Sequence, residues 1–114
     1  MDATDRSGVI SFADAQAKVL SSDERTLLVL HRGTVDVKLL LPVPPNVQTP
    51  HTQDELYAVI RGRGVLVHNG ARSPFATGDL LFVAAGCEHH YEDFSADLAL
   101  WRVFYGRQGG EVPQ

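Results

Sequence analysis

Short apolar runs broken by turn residues constrain this chain more than any other feature. Thr26 to His31 and Val35 to Leu41 are rich in branched apolar residues and are separated by Arg32-Gly33, a strand–turn–strand signal. Gly64 to His68 precedes Asn69-Gly70, a pair that tolerates the positive φ angles of a tight hairpin. Gly78-Asp79 precedes Leu80 to Val83, and Asp97 to Tyr105 closes the series. Short strands at such regular turn spacing predict a sandwich or a closed barrel. Ser11-Phe-Ala-Asp14 reads as a capping arrangement ahead of Ala15 to Leu20, so one short helix precedes the strands. The expected fold class is all-β with a short N-terminal helix.

A length of 114 residues and a hydrophobic content of 44% suit one compact domain with one core. No repeat or linker divides the chain, so residues 1–114 are read as a single domain whose strand-bearing part spans about 26–105. The ends, 1–8 and 106–114, are polar and Gly-containing and are expected to be loosely held. With a net charge of −4 and no run of Lys or Arg, the chain is not expected to bind nucleic acid. No stretch approaches the ~20 apolar residues of a membrane span. Met1 to Ser7 carries two acids and one Arg, unlike the basic start of a secretory signal. The single cysteine, Cys87, excludes an internal disulfide framework and suits a reducing cytoplasm. A phosphate-cradling Gly-rich loop and a nucleophile elbow are both absent, and Gly62-Arg63-Gly64 reads as a hairpin turn.

Pro42, Pro44 and Pro45 break regular structure and mark a loop into the most chemically loaded segment. There the local signals conflict. Thr49-Pro50 could start a helix that runs to Arg61 and puts His51 and Glu55 on one face. The same residues also read as a strand, with Glu55, Tyr57 and Val59 on one side and Leu56, Ala58 and Ile60 on the other. Periodicity leaves both open. In either case His51, Glu55 and His89 supply two imidazoles and a carboxylate, a set that can fill one face of an octahedral metal and leave the rest open.

Two spacings bear on the choice. His51 is followed by three residues and Glu55, and Glu55 by six residues and Gly62. Gly78 is followed by five residues, then Ala84-Ala-Gly86, two residues and His89, with 15 residues between Gly62 and Gly78. This pair of segments resembles the two sequence motifs of the cupin superfamily, in particular small single-domain bacterial cupins, over roughly Val35 to Phe104. Thr49 stands where the first motif has its first His, Ala84 where the second has Pro, and Asp93 where the second has Asn. The resemblance implies a jelly-roll barrel, which a helix over 49–61 would not satisfy, so Leu56 to Arg61 is expected to be strand. It also implies a divalent cation (Fe, Mn, Zn or Ni) held by His51, Glu55 and His89, a small-molecule substrate or ligand, and a homodimer. The apolar face of Leu56, Ala58 and Ile60 is one place where a second sheet could pack.

The remaining candidates each carry two readings. Tyr57, in phase with Glu55, is either an acid, base or hydrogen-bond donor in the cavity or a core tyrosine with its hydroxyl satisfied. Gln53 is a weak fourth ligand, a hydrogen-bond partner of a ligand, or a solvent-facing amide. Cys87 is a thiolate ligand or a small packed residue. His90 cannot share the face of His89 on a strand and is read as a rim or outer-face residue. His68 is expected to be solvent-exposed, His31 a structural histidine, and Asp93 a loop cap. Trp101, Phe104 and Tyr105 are expected to pack the barrel or a subunit contact. Two functions follow: a metal-dependent dioxygenase, isomerase or lyase acting on a small polar or oxygen-rich molecule, with Glu55 and Tyr57 as catalytic residues, or a non-catalytic small-ligand or carbohydrate-binding sensor.

Overall fold

The computed structural model describes residues 7–46 and 48–112. Residues 1–6 and 113–114, parts of the ends expected to be loosely held, lie outside the described residues. The helix α1 spans Phe12–Leu20, starting ahead of the expected Ala15 because Ser11 caps it, its Oγ accepting from Asp14 N at 3.1 Å. Asp14 in the first turn and Lys18 in the last both complement the helix dipole.

Eight strands follow: β1 (Thr26–Arg32), β2 (Val35–Leu40), β3 (Asp54–Arg61), β4 (Arg63–His68), β5 (Ala71–Ala76), β6 (Leu80–Val83), β7 (His89–Glu92) and β8 (Ala99–Tyr105). They form a five-stranded sheet in the order β1-β2-β8-β3-β6 and a three-stranded sheet in the order β5-β4-β7, with every pair antiparallel. This is the all-β architecture expected from the turn spacing, in the jelly-roll form that the motif resemblance implies. Among the described residues no helix is long and apolar enough to cross a membrane.

The segment with conflicting signals is strand. β3 is hydrogen bonded on both sides, to β8 and to β6, so its backbone groups are satisfied by neighbours rather than by a helix. Its alternation then sorts the side chains: Glu55, Tyr57 and Val59 are buried toward the second sheet, while Leu56, Ala58 and Ile60 are half-buried on the outer face. Between the sheets, Tyr57, Val59, Leu66, Phe75, Tyr91 and Leu100 belong to one core cluster. On the outside, Ala15 and Val19 of α1 pack on Leu39, Leu41 and Ala99, with Ile60 and Trp101 at the edge of that contact. The helix therefore covers the Ile60 end of the apolar face and leaves a groove of about 360 Å³ over Val37, Ala58, Trp101 and Val103.

Gly62-Arg63-Gly64 is a corner rather than the expected hairpin turn. β3 and β4 lie in different sheets, and Gly62, at φ +96°, is the single residue in which the chain changes sheet. A Cβ on Gly62 would lie 2.7 Å from Ser95 Oγ and 2.8 Å from Leu98 Cα, so both the turn and the close approach exclude a side chain. The true hairpin lies at Asn69-Gly70, both at positive φ, joining β4 to β5. Pro74 interrupts the β5 run, yet β5 is an edge strand, where a missing N–H is tolerated.

The C-terminal end of the described chain makes defined contacts that composition does not foreshadow. Gly109 N donates to Thr52 O at 2.7 Å, and Glu111 N donates to Asp54 Oδ2 at 2.9 Å. The other oxygen of the buried Asp54 accepts from Ala85 N at 2.9 Å, so one carboxylate joins β3, the loop before β7 and the chain end.

Gly64 tests the packing at the corner. An added Cβ would lie 2.8 Å from Phe94 Cβ and 2.9 Å from Phe75 Cζ. Gly64→Ala is expected to cost ~1–3 kcal/mol through overpacking. Urea unfolding should show this as a lower midpoint at an unchanged slope.

Candidate functional site

Glu55 is the centre of the site. It is 1% exposed, and a carboxylate removed from water needs compensating partners. Its Oε1 lies 3.2 Å from His51 Nδ1 and accepts from the Tyr57 hydroxyl at 3.0 Å, while Oε2 lies 3.3 Å from His89 Nε2. His51, Glu55 and His89 each present a ligand atom, and these atoms lie within 4.8 Å of one another. The three residues proposed as ligands are thus brought together from a loop and two strands in different sheets.

Backbone contacts aim each of them. His89 opens β7 with its side chain inward, and its Nδ1 lies 3.0 Å from Cys87 O. A carbonyl only accepts, so Nδ1 carries the proton and the Nε2 lone pair faces Glu55 and the Tyr57 hydroxyl, 3.1 Å away. His51 precedes β3 and is held from two sides: Gly86 N donates to its carbonyl at 2.7 Å, and its ring lies 4.7 Å from the Phe104 ring. Gly86 turns at φ +79°, so the glycine of the second motif directly fixes the first proposed ligand.

The polar atoms that face the site suit a divalent cation. His51 Nδ1 is buried without a hydrogen-bond partner among the described residues, although Glu55 Oε1 is only 3.2 Å away. The pair is close but does not meet hydrogen-bond geometry, so a buried ring nitrogen and a carboxylate oxygen lie side by side without satisfying each other, an arrangement that a shared cation would resolve. Burial pushes the His51 pKa below its ordinary 6.5, with Glu55 opposing the shift and Arg102 and His89 adding to it. The imidazole is therefore neutral and ready to coordinate at a lower pH than a free one. Burial and the adjacent Glu55 charge push the Tyr57 phenol far above its ordinary range, so its hydroxyl keeps its proton.

Other residues take simpler places. Gln53 is not in the convergent group; its amide donates to Thr34 O at 2.9 Å and Gly106 O at 2.8 Å, holding the β1–β2 turn against the end of β8. Thr49 is exposed on the rim of a cleft of about 390 Å³ that it shares with Asn46, Gln48, Pro50, Glu88, His89 and His90. His90 faces away from His89 and pairs with Glu92 at 2.8 Å. His68 is half-buried rather than exposed, its Nε2 2.8 Å from Ser73 Oγ across the hairpin. His31 is exposed and pairs with Asp36 at 2.5 Å. Cys87 packs against the core, and it is its carbonyl, not its thiol, that serves the site. Asp93 sits at φ +51° and pairs with Arg72 on the surface. Trp101 meets Phe12 of α1 edge-on, with ring centroids 6.2 Å apart.

Sequence reasoning missed three neighbours of the site: Gln48, Asp54 and Arg102. Gln48 Oε1 is 3.3 Å from both the Tyr57 hydroxyl and Arg102 Nη1. A phase count along β8 would have found Arg102, which lies two residues from Phe104 and pairs directly with Tyr57. Gln48 lies in a loop, where no periodicity marks it.

A family model described as the cupin domain matches residues 40–100, the span that contains both motif segments. The chain belongs to the cupin family. Uncharacterized protein SCO3923 of Streptomyces coelicolor is 37% identical to this cupin over 57 residues, covering 50% of this chain and 54% of that protein. The chain thus spans about half the length of the curated relative it matches. Among solved structures, a cupin superfamily protein from Desulfitobacterium hafniense is similar at a TM-score of 0.61 and 15% identity, over 72% of this chain and 76% of that one. KdgF from Halomonas sp. is similar at 0.63 and 15% identity, over 73% and 78% of the two chains. At such identities these likenesses speak for the fold.

Two measurements probe the site of this cupin. His89→Ala is expected to weaken Mn(II) or Co(II) affinity at least ~10-fold with the barrel retained, while His90→Ala leaves it unchanged; isothermal titration calorimetry separates the two. Because burial holds the His51 pKa below 6.5, the affinity should stay flat as pH falls to about that value and decline only further down. A decline that begins well above this range would count against a site whose imidazoles stay neutral down to that pH.

Proposed function

We propose that this cupin is a metal-dependent enzyme acting on a small polar, oxygen-rich molecule at the inner end of its cleft. The observation that carries the reading is the convergence of His51, Glu55 and His89, with the Tyr57 hydroxyl hydrogen bonded to Glu55 and 3.1 Å from His89 Nε2. A divalent ion (Fe, Mn, Zn or Ni) bound by these three would supply a Lewis acid with positions open to substrate oxygen.

The side chains divide the remaining work. Tyr57, kept protonated by burial, donates a hydrogen bond or a proton and does not act as a phenolate base. Glu55 Oε1, 3.0 Å from that hydroxyl, accepts its hydrogen bond and is the group placed to take a proton from the substrate. His89, fixed by Cys87 O, and His51, braced by Phe104, orient the substrate relative to this pair. A donor and an acceptor side by side favour proton-transfer chemistry, of the isomerase or lyase type, over dioxygenation. The sole cysteine suits a cytoplasmic protein, and the open groove over Ala58 and Val103 offers a second copy an apolar seat.

One observation favours a non-catalytic ligand sensor instead: Tyr57 is fully buried, with its hydroxyl already engaged by Glu55 and Gln48. Turnover separates the readings. With Mn(II), Zn(II) or Fe(II) restored, the enzyme reading expects activity on hydroxy or oxo compounds that chelation removes. Tyr57→Phe should lower kcat by ~10²-fold or more at unchanged metal content. Metal-dependent ligand binding without turnover under every metal would transfer the assignment to the sensor.

A further inference from the structure

Two cations border the site without an acid to balance them. Lys38, Arg102 and Tyr57 occupy one register row, Lys38 paired with Arg102 and Arg102 with Tyr57. Directly paired residues point to the same face, so all three face the barrel interior, where Tyr57 reaches the proposed metal ligands. The Phe104 ring joins them. Arg102 Cζ lies 4.8 Å and Lys38 Nζ 5.8 Å from its centroid, and the His51 ring lies 4.7 Å away. Gln48 links the guanidinium to the site, since its Oε1 accepts from Arg102 Nη1 at 3.3 Å and lies 3.3 Å from the Tyr57 hydroxyl oxygen.

The acids on this face are committed elsewhere. Asp36 pairs with His31, and Glu55 is held among His51, His89 and Tyr57. Among the described residues neither Lys38 nor Arg102 has a carboxylate within 4.0 Å, and Arg102 Nε is buried with no hydrogen-bond partner. Like charges on adjacent strands repel, and a buried donor without an acceptor is costly. An anion held by both side chains would offset both penalties.

We propose that Lys38 and Arg102 form an anion subsite for the carboxylate of a small hydroxy- or oxo-acid, whose neighbouring oxygen reaches the His51–Glu55–His89 group. The inference rests on the metal-dependent reading above and names its substrate class. Arg102 lies against the Phe104 ring and presents a planar donor fork, which matches a carboxylate in two-point contact. The planar amide oxygen of Gln48 already sits on Nη1, in a position that a carboxylate oxygen can take. Lys38 adds a point charge from the neighbouring strand.

The test uses Mn(II)-loaded full-length protein, with glycolate, its neutral analogue glycolamide, and inorganic phosphate as probes. Water-proton relaxation by bound Mn(II) reads whether a probe displaces metal-bound water. Glycolate should bind at least ~10-fold more tightly than glycolamide, and Arg102→Gln and Lys38→Gln should each remove that advantage. Mn(II) affinity should be unchanged or tighter in both variants, because the lost positive charge repelled the ion. Arg102→Lys keeps the charge without the fork and should fall between, which guards against a glutamine variant that fails to fold. Equal binding of glycolate and glycolamide, or full glycolate affinity in Arg102→Lys and Lys38→Gln, would overturn the subsite; tighter binding of phosphate would overturn the carboxylate class. If the wild-type protein takes up no Mn(II), the metal-dependent reading fails on its own. The subsite is then judged by NMR shift changes in the metal-free protein, where an equal response to glycolate and glycolamide rejects it.

Discussion

A carboxylate inside a barrel of 114 residues is the constraint to which the rest of this structure answers. Glu55 is almost completely withdrawn from water on β3, an interior strand of the larger sheet between β8 and β6. An isolated charge there would cost several kcal/mol, enough to cancel much of the stability of a small domain. The cost is met by groups that arrive from three directions: Tyr57 from the same strand, His89 from the opposite sheet and His51 from the preceding loop. None of these groups is free to move. His89 is pinned by Cys87 O, His51 by Gly86 N and the Phe104 ring, and the Tyr57 ring by edge contact with Tyr91 at 5.7 Å. Compensation and preorganisation are therefore the same set of contacts, as a metal site requires.

The architecture explains how so short a chain assembles such a set. β3 and β7 lie in different sheets, so Glu55 and His89 meet only because the sheets close face to face over Tyr57, Leu66 and Leu100. The corner at Gly62 achieves this with one residue instead of a long crossover. Electrostatic asymmetry comes from the same geometry. Tyr57, Arg102 and Lys38 share one row across three strands, so positive charge gathers on the β2–β8 side of the site, while the imidazoles approach from the other segments.

Much of the fold was legible in the chain. Leu80–Val83 appears as a strand with the bounds read from its turn residues, and the Asn69-Gly70 hairpin stands where the dipeptide predicts it. β3 was legible only through the paired motif spacings. Its local sequence supports helix and strand equally, and hydrogen bonds to two neighbouring strands decide between them. β5 and β7 were harder to read because neither carries an apolar run: Pro74 interrupts β5, and β7 reads His-His-Tyr-Glu. At the site, the grouping of His51, Glu55 and His89 was implied by the resemblance of two segments to the cupin motifs, whereas nothing in the chain marked the contacts of Gln48, Asp54 and Gly110. Those contacts join residues far apart in sequence, which no local pattern encodes. Gln53 illustrates the limit: its polarity was visible, but its two carbonyl partners, Thr34 and Gly106, were set by tertiary structure.

Asp54 adds a consequence for how the molecule opens. Its two oxygens accept from Ala85 N and Glu111 N, and Gly110 packs so closely that a Cβ there would lie 2.8 Å from Oδ1. One side chain thereby protects backbone amides from two distant stretches of sequence, next to the residue that carries the buried charge. Each amide bonds a different oxygen of the same carboxylate, so displacing the Asp54 side chain would release both. The chain end and the loop whose backbone contacts His51 and His89 are thus fastened to one anchor, a carboxylate adjacent in sequence to Glu55.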